Sequence, residues 1–435
     1  MKVLTWSELD DAGRAETLRR GTATAGPEVQ SRVSRILQRV RRDGDAALAE
    51  LGERFDGARA RRLQVPPEEI SAAAEEPSPA LRAAITYATA RIRAFHQAGM
   101  PRDYAVQTAD GVHCRRVMRP IRRVGLYVPA GSAPLPSTAL MLGVPAQLAG
   151  CAEVVICTPP GAGGRPDPTV LAAAAECGIS RVFATGGAQA IAAMAYGTES
   201  VPRCDKIVGP GNVYVTEAKR QVAAEGACGI DALAGVTEVA IIADDTADPR
   251  LVAVDLVAQA EHDPLAACLL ITPSPGLAAR VTDALAEEVA RTRHADRVRT
   301  ALRGQGAVAL VDDLDHAVTV ADAFAAEHLE VQTADAAAVA RRVRAAGAIF
   351  VGSDTPVSLG DYCAGPNHTL PTGGTARFTG GLRTDDFLVP VNWVQYGPDA
   401  LADLAPVVQA LGEAEDLPAH ARAVQARLET GGSAS

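Results

Sequence analysis

Gln259 and His262 stand three residues apart at the end of a helical pattern, in the order Gln259-Ala260-Glu261-His262. Positions i and i+3 share one helix face, so an amide oxygen and an imidazole nitrogen would point the same way. Both are ligand types for a divalent metal ion, and a tetrahedral zinc site needs four of them. Asp248-Pro249 gives a start signal, an apolar stripe runs from Leu251 to Ala258, and Pro264 stops the pattern just beyond His262. The pair should therefore emerge at a helix end. Taken alone, it reads equally as a solvated surface pair and as half of a metal site.

A second group, Phe324-Ala325-Ala326-Glu327-His328-Leu329-Glu330, sets a carboxylate beside an imidazole where a helical run passes into a strand. Neighbours on a regular helix diverge by about 100 degrees, so both face one cleft only where the backbone changes direction. An imidazole with a pKa near about 6.5 takes a proton at neutral pH, and a nearby carboxylate polarises water or steadies the imidazolium. An exposed Glu-His pair would look the same in sequence. Between Leu359 and Gly374, a loop dense in Gly and Pro carries Asp361, Tyr362, Asn367 and His368. Such stiffening suits the fixed placement of polar groups better than flexibility. Near the end of the chain, Glu415 and His420 add one more carboxylate and one more imidazole.

These groups need a frame. Helical spacing of Ala, Leu, Arg and Glu predicts long amphipathic helices from about Val29 to Phe55 and from about Pro67 to Phe95. The basic stretch Gly111–Arg123 reads as solvated strands or turns. From Val124 the rhythm becomes short β-branched runs separated by Ala-rich helical segments. The strands are expected at Val124–Val128, Val154–Thr158, Val182–Thr185 and Lys206–Val208, then at Val239–Ala243, Cys268–Thr272, Val308–Val311 and Ile349–Gly352. This alternation predicts two doubly wound α/β units with parallel sheets and right-handed crossovers. The expected division is an N-terminal arm over 1–28, a discontinuous α/β domain over 29–123 and 239–381, a second over 124–238, and an extended tail over 382–435. After Gly373 the pattern breaks, and a short helical pattern follows between Pro398 and Leu428; Gly431–Ser435 is expected to be disordered.

Parallel sheets favour ligands at the carboxyl ends of their strands. Three Gly-rich strand exits are candidates there: Val128–Pro134, Thr185–Ala190 and Val208–Asn212. Glycine lets the backbone approach a ligand, and a helix N-terminus favours phosphate. None matches Gly-x-Gly-x-x-Gly followed by an acidic residue, so nucleotide loops and ordinary turns both remain open.

Composition narrows the function classes. The chain has 435 residues, enough for about two to three domains, and 48% of them are hydrophobic. Lys plus Arg is 42 against 52 for Asp plus Glu, a formal net charge of -10, which argues against a nucleic-acid surface. The eight cysteines form no Cys-x-x-Cys pair, as expected of reduced thiols in a cytoplasmic protein. The N-terminus lacks the apolar core of a signal peptide, and no run approaches the roughly 18 apolar residues of a membrane span.

Taken together, the segments resemble the histidinol dehydrogenase family from about Val29 to Leu428. The resemblance is carried by Gly125-Leu126-Tyr127-Val128-Pro129, Gly186-Gly187-Ala188-Gln189-Ala190-Ile191, Gly209-Pro210-Gly211-Asn212 and Thr216-Glu217-Ala218-Lys219-Arg220. It continues through Gln259–His262, Glu327-His328-Leu329, Gly360-Asp361-Tyr362, Asn367-His368, Leu370-Pro371-Thr372 and Ala419-His420. The resemblance implies incomplete Rossmann-like domains, NAD on the 124–238 domain and one Zn²⁺ per subunit held by Gln259, His262, Asp361 and His420. It implies oxidation of L-histidinol through the aldehyde to L-histidine, consuming two NAD. By the same resemblance His328 is the general base, Glu327 activates water, and Tyr127, Gln189 and Asn212 contact NAD. Thr237, Glu415 and His368 fall at substrate-side positions, where the zinc ligands and His328 also reach substrate. The tail is implied to cross to the partner subunit, so that Glu415 and His420 complete the neighbour's site in a homodimer.

One segment departs from the family pattern. Asp231-Ala232-Leu233-Ala234-Gly235-Val236-Thr237-Glu238 stands where the usual pattern is Ala-Gly-Pro-Ser-Glu or a close variant. Thr237 keeps the hydroxyl, whereas Val236 removes a turn-fixing proline. Four other readings stay open on the residues. They are a thiol-dependent aldehyde dehydrogenase using one of the cysteines, for which Cys151 and Cys157 on an apolar strand look too buried, a zinc hydrolase with Glu327 as base, a metal that only staples a dimeric scaffold, and a relative acting on another amino alcohol or a sulfonated diol.

Overall fold

The computed structural model of the chain describes residues 1–20, 25–57, 60, 62–130, 133–161 and 163–431. Gly131-Ser132 of the first strand exit and the terminal 432–435 lie outside the described residues, while Gly431, expected in the disordered end, closes the last helix. In chain order the strands are β1 (Lys2–Thr5), β2 (Tyr104–Ala109), β3 (Val112–Pro120), β4 (Arg123–Tyr127) and β5 (Glu153–Thr158). They continue with β6 (Val182–Ala184), β7 (Lys206–Val208), β8 (Gly229–Ile230), β9 (Glu238–Ala243) and β10 (Ala267–Thr272). The last are β11 (Gly306–Leu310), β12 (His328–Gln332), β13 (Ala348–Val351) and β14 (Leu388–Tyr396).

Two compact units emerge, one of Met1–Gly99 with Ile121–Phe387 and one of Met100–Pro120 with the chain from Leu388 onward. The first holds two parallel sheets, of order β1-β11-β10-β9-β12-β13 and β6-β5-β4-β7-β8. The fold is α/β. Leaving β1 aside, the two sheets are wound alike: the chain starts at a central strand, adds two on one side, then returns to add two on the other. β1 is the surprise in the arm, since Lys2–Thr5 pairs with β11 at the sheet edge.

Both faces of each sheet must be covered, and the period-2 alternation of β9 shows how. Val239, Ile241 and Ala243 pack on one side with Leu256, Val257, Leu277 and Val281 from helices Pro249–Ala260 and Pro275–Arg291. Ala240 and Ile242 pack on the other with Val320, Phe324 and Leu329. Each such aliphatic side chain taken from water contributes about 2 kcal/mol. The second sheet buries Tyr127, Val155, Phe183 and Ile207 against helices Pro27–Phe55, Gly187–Tyr196 and Val213–Ala224.

Two helix readings change. The segment from Pro67 is two helices, Pro67–Ala73 and Pro79–Ala98, because Pro77 and Pro79 interrupt the hydrogen-bond ladder. Helix Pro27–Phe55 bends at Gly44, whose φ of 55° lies outside the helical region.

The second unit is a three-stranded antiparallel sheet, β14-β3-β2, with helices Pro398–Ala414 and Pro418–Gly431. The stretch read as turns or solvated strands is the middle strand, pairing Arg115 with Trp393 and Val112 with Tyr396. This sheet draws residues from both the expected first domain and the expected tail. None of the described helices is long and apolar enough to cross a membrane.

Candidate active site

At the start of β9, the peptide of Glu238 organises two neighbouring side chains. Its N–H donates to Glu327 Oε2 at 3.0 Å, and its carbonyl accepts from His328 Nδ1 at 3.1 Å. A carbonyl can only accept, so Nδ1 carries the proton of the neutral ring and Nε2 is left with its lone pair. Nε2 lies 3.9 Å from Asp361 Oδ1. His328 is 5% exposed, and burial pushes its pKa below the usual value, so the ring is neutral and basic at Nε2 near neutrality.

Both groups face one way because the backbone turns between helix Leu314–Phe324 and β12. Ala325 takes φ 50°, a left-handed conformation that ends the helix and re-aims the chain. Glu327 is buried, and burial pushes its pKa up to about 7 against the hydrogen bonds from Thr237 and Glu238. Thr237 Oγ1 donates to Glu327 Oε2 at 2.6 Å and accepts from Gln259 Nε2 at 2.6 Å. The hydroxyl flagged beside Val236 therefore links Gln259 to Glu327.

Helix Pro249–Ala260 starts at Asp248, whose side chain accepts from Arg250 N at 2.8 Å, and ends just past Gln259. His262 N–H bonds back to the Gln259 carbonyl at 3.3 Å, so the turn continues and brings the imidazole to the same end. Gln259 is buried and His262 exposed. Asp361 closes the group from helix Val357–Tyr362, and burial raises its pKa. His368 Nδ1 donates to the Asp361 carbonyl at 3.0 Å, and its Nε2 meets Thr138 Oγ1 at 3.3 Å. Burial lowers the His368 pKa to about 4. Neutral and bonded at both nitrogens, His368 steadies Asp361.

Thr237, Gln259, His262, Glu327, His328, Asp361 and His368 thus gather in the first unit. Glu415 and His420 belong to the second unit, where both are exposed on the helical hairpin. Among the described residues no three His, Cys, Asp or Glu side chains lie together as a metal cage. The donor chemistry nonetheless suits a zinc ion. Thr237 occupies the Gln259 amide nitrogen, leaving its oxygen as a third donor beside His262 and Asp361.

The sheet end used here differs from the expectation. Thr237, Glu327 and His328 sit at the amino ends of β9 and β12, and His262 precedes β10. The carboxyl ends serve the second sheet, where Tyr127, Gln189 and Asn212 line one cavity of about 290 Å³ with Arg32, Asp56 and Tyr214. Tyr127 ends β4 and Asn212 follows the adjacent strand β7, and the strand order reverses between these two strands. Tyr127 OH accepts the Gly187 N–H at 3.0 Å, Gln189 Nε2 donates to Asp56 Oδ2 at 3.4 Å, and Asn212 Oδ1 caps helix Val213–Ala224. Gly209 has φ 120°, and a Cβ there would overlap the Tyr127 carbonyl. The buried hydroxyls of Thr158 and Thr185, at the ends of β5 and β6, have no hydrogen-bond partner among the described residues. Ring, carboxamides and carboxylate in this lining suit the amide and sugar hydroxyls of a nucleotide.

Sequence reasoning missed Glu238, Arg20, Asp56 and the buried Lys219–Asp231 ion pair that holds the Gly209 loop. Glu238 and Asp231 lay in the departing segment, which was a usable signal; Arg20 and Asp56 carried none. The eight cysteines are free thiols. Burial raises the Cys151 pKa to about 11 and that of Cys157 well above the ordinary thiol value, so neither is a ready nucleophile.

The family model described as histidinol dehydrogenase matches residues 19–428. A histidinol dehydrogenase of Xanthomonas euvesicatoria pv. vesicatoria is 50% identical over 428 residues, covering 98% of this chain and 99% of the relative. One from Xylella fastidiosa (strain Temecula1) is 48% identical with the same coverage. The crystal structure of histidinol dehydrogenase from Elizabethkingia anophelis aligns with a TM-score of 0.93 at 34% identity, covering 99% of this chain and 98% of that one. The chain belongs to the histidinol dehydrogenase family and is an oxidoreductase.

Proposed function

We propose that the chain oxidises L-histidinol through L-histidinal to L-histidine, the final step of histidine biosynthesis, with NAD as oxidant and one zinc ion per subunit. The observation that carries the chemistry is His328, held as the Nδ1-H tautomer by the Glu238 carbonyl with a buried, unprotonated Nε2. The names of the relatives carry the substrate.

His328 Nε2 takes the proton of the substrate hydroxyl, so that the C–H electrons can leave as the carbonyl forms. NAD, against Tyr127, Gln189 and Asn212, supplies the acceptor for the hydrogen and electron pair lost from carbon in each of the two oxidations. Gln259, His262 and Asp361, with His420 of the partner subunit, would hold zinc, which supplies a template for an amino alcohol rather than an activator of water. Glu327 takes a proton from the water that adds to the aldehyde carbon. A pKa near about 7 lets it both accept and return that proton close to neutrality. In the second oxidation His328 takes the proton of the hydrate. Thr237 keeps Glu327 and Gln259 in register, His368 steadies Asp361, and Glu415 of the partner subunit offers a carboxylate to a cationic imidazole.

Exposed apolar side chains on both sides of β14 and on the helix that follows support a homodimer. Val389, Trp393, Val394 and Tyr396 of β14 are 48%, 47%, 65% and 46% exposed, as are Val407 and Leu411 of its first helix at 53% and 59%. Free cysteines fit the reducing cytoplasm.

Adding histidinol and NAD to the purified protein should yield two NADH per histidinol, read by absorbance. A hydrolase would give no such signal. Chelation should abolish turnover while circular dichroism stays native; unfolding on chelation would instead mark the metal as a staple.

A further inference from the structure

We propose that Arg20, on the N-terminal arm, is the positioning residue that fixes both proton-transfer groups at once. The inference rests on the reading of Glu327 and His328 given above. The Arg20 guanidinium pairs with the Glu238 carboxylate, donates to the Phe324 carbonyl and lies over the Phe324 ring at 4.0 Å. Glu238 is fully buried, and its other oxygen accepts the Gly373 N–H. One cation therefore ties the start of β9 to the last residue of the helix that precedes β12.

Those two anchor points are where the site is set. The Glu238 peptide holds Glu327 through its N–H and His328 through its carbonyl. Phe324 stands immediately before Ala325, whose φ of 50° aims Glu327. A shift of Glu238 relative to Phe324 would move the donor away from Glu327 and the acceptor away from His328 together. Misplacement of about 1 Å can cost about 10²-fold in rate with little effect on ground-state binding. A buried ion pair is also an uneconomical way to fill space, since well-packed apolar side chains are often as stable. Arg377, close by, spends its guanidinium on the Ala323 and Gly374 carbonyls and does not reach Glu238 in these hydrogen bonds.

The test uses zinc-loaded full-length protein carrying Arg20→Met, Arg20→Lys, Glu238→Gln or the Arg20→Met/Glu238→Gln pair. Glu327→Gln and His328→Asn are measured in parallel. Arg20→Met should lower kcat about 100-fold with the histidinol KM within about threefold of the original, and NAD affinity by fluorescence titration should not change. Arg20→Lys should recover about tenfold of that loss, and the double variant should be no slower than Arg20→Met alone. If Arg20→Met fails to fold by circular dichroism, Glu238→Gln and Arg20→Lys carry the same split between kcat and KM. Unchanged kcat, a loss confined to KM, or losses that multiply in the double variant would each overturn the role of Arg20. If Glu327→Gln and His328→Asn retain full turnover, the reading of the site itself falls.

Discussion

At His328, one backbone carbonyl decides which nitrogen is basic, and that sharpens what substitution should do. His328→Asn should lower kcat by about 10²- to 10⁴-fold, the range for losing a positioned base, with zinc content unchanged by elemental analysis. Glu327→Gln should separate the two oxidations. Water would no longer be deprotonated, so histidinal should accumulate, trapped by semicarbazide, and NADH per histidinol should fall from two toward one. An unchanged stoichiometry would remove Glu327 from the aldehyde step. Cys151→Ala and Cys157→Ala should keep both steps, because burial holds these thiols protonated. Much of the placement of these side chains was legible in sequence. Gln259 and His262 share a helix end, and Glu327 and His328 share a cleft because the chain bends at Ala325, as a helix running into a strand requires. Arg20 was not legible, since its partner Glu238 is distant in sequence and no periodicity links them.

Among the elements, β12 contributes Glu330 to a pair of buried acids away from the chemistry. Glu330 shares a hydrogen bond with Asp255 of helix Pro249–Ala260, and Gln332 Nε2 donates to both at 2.9 Å. Glu330 Oε1 also accepts from Val357 N at 3.2 Å, so the pair braces the two helices that bear Gln259 and Asp361. Burial pushes Glu330 up to about 9 and raises Asp255. The folded state therefore holds these protons more tightly than the unfolded chain, whose Glu titrates near about 4.3. Stability from the pair is complete below that pH and is lost as pH rises toward about 9. Glu330→Gln can still accept from Val357 N and donate to Asp255 but gives up the bond from Gln332, so its gain in melting temperature relative to the original should grow as pH rises from about 4 toward about 9. A constant gain across pH would refute the account. Gly209→Ala should destabilise by about 2 kcal/mol, because both its φ and its contact with Tyr127 exclude a side chain, and NAD affinity should weaken with it. The eight expected parallel strands were legible to within one or two residues because their hydrophobic runs are largely buried, whereas the short, more exposed edge strands β1 and β8 were not. β14 was not: Pro390 interrupts its strand pattern, and only Leu388 of it is buried.

For the whole molecule, the proposal that the tail is exchanged between subunits makes a prediction that no single chain can show. Mixing His420→Asn with His328→Asn protein, each inactive, and allowing subunits to exchange should restore activity to about a quarter of the sites, because a mixed dimer pairs one intact body with one intact tail. If each tail served its own body, mixing would restore nothing. The alternation of strand and helix revealed the two sheets, but the boundary of the second unit stayed hidden because β3 and β14 join residues far apart in the chain. The amino ends of β9, β10 and β12 carry one last consequence. Crossover helices run against the strands they serve, so helices ending at Ala260, Phe324 and Tyr362 all bring their C-termini to this end, with partly negative carbonyls. The opposite sheet end, beside Tyr127, presents the starts of helices Gly187–Tyr196 and Val213–Ala224, with partly positive amides. Backbone polarity alone therefore sorts charge between the two sheet ends, favouring cations at one and anions at the other, as the proposed zinc and dinucleotide would each require.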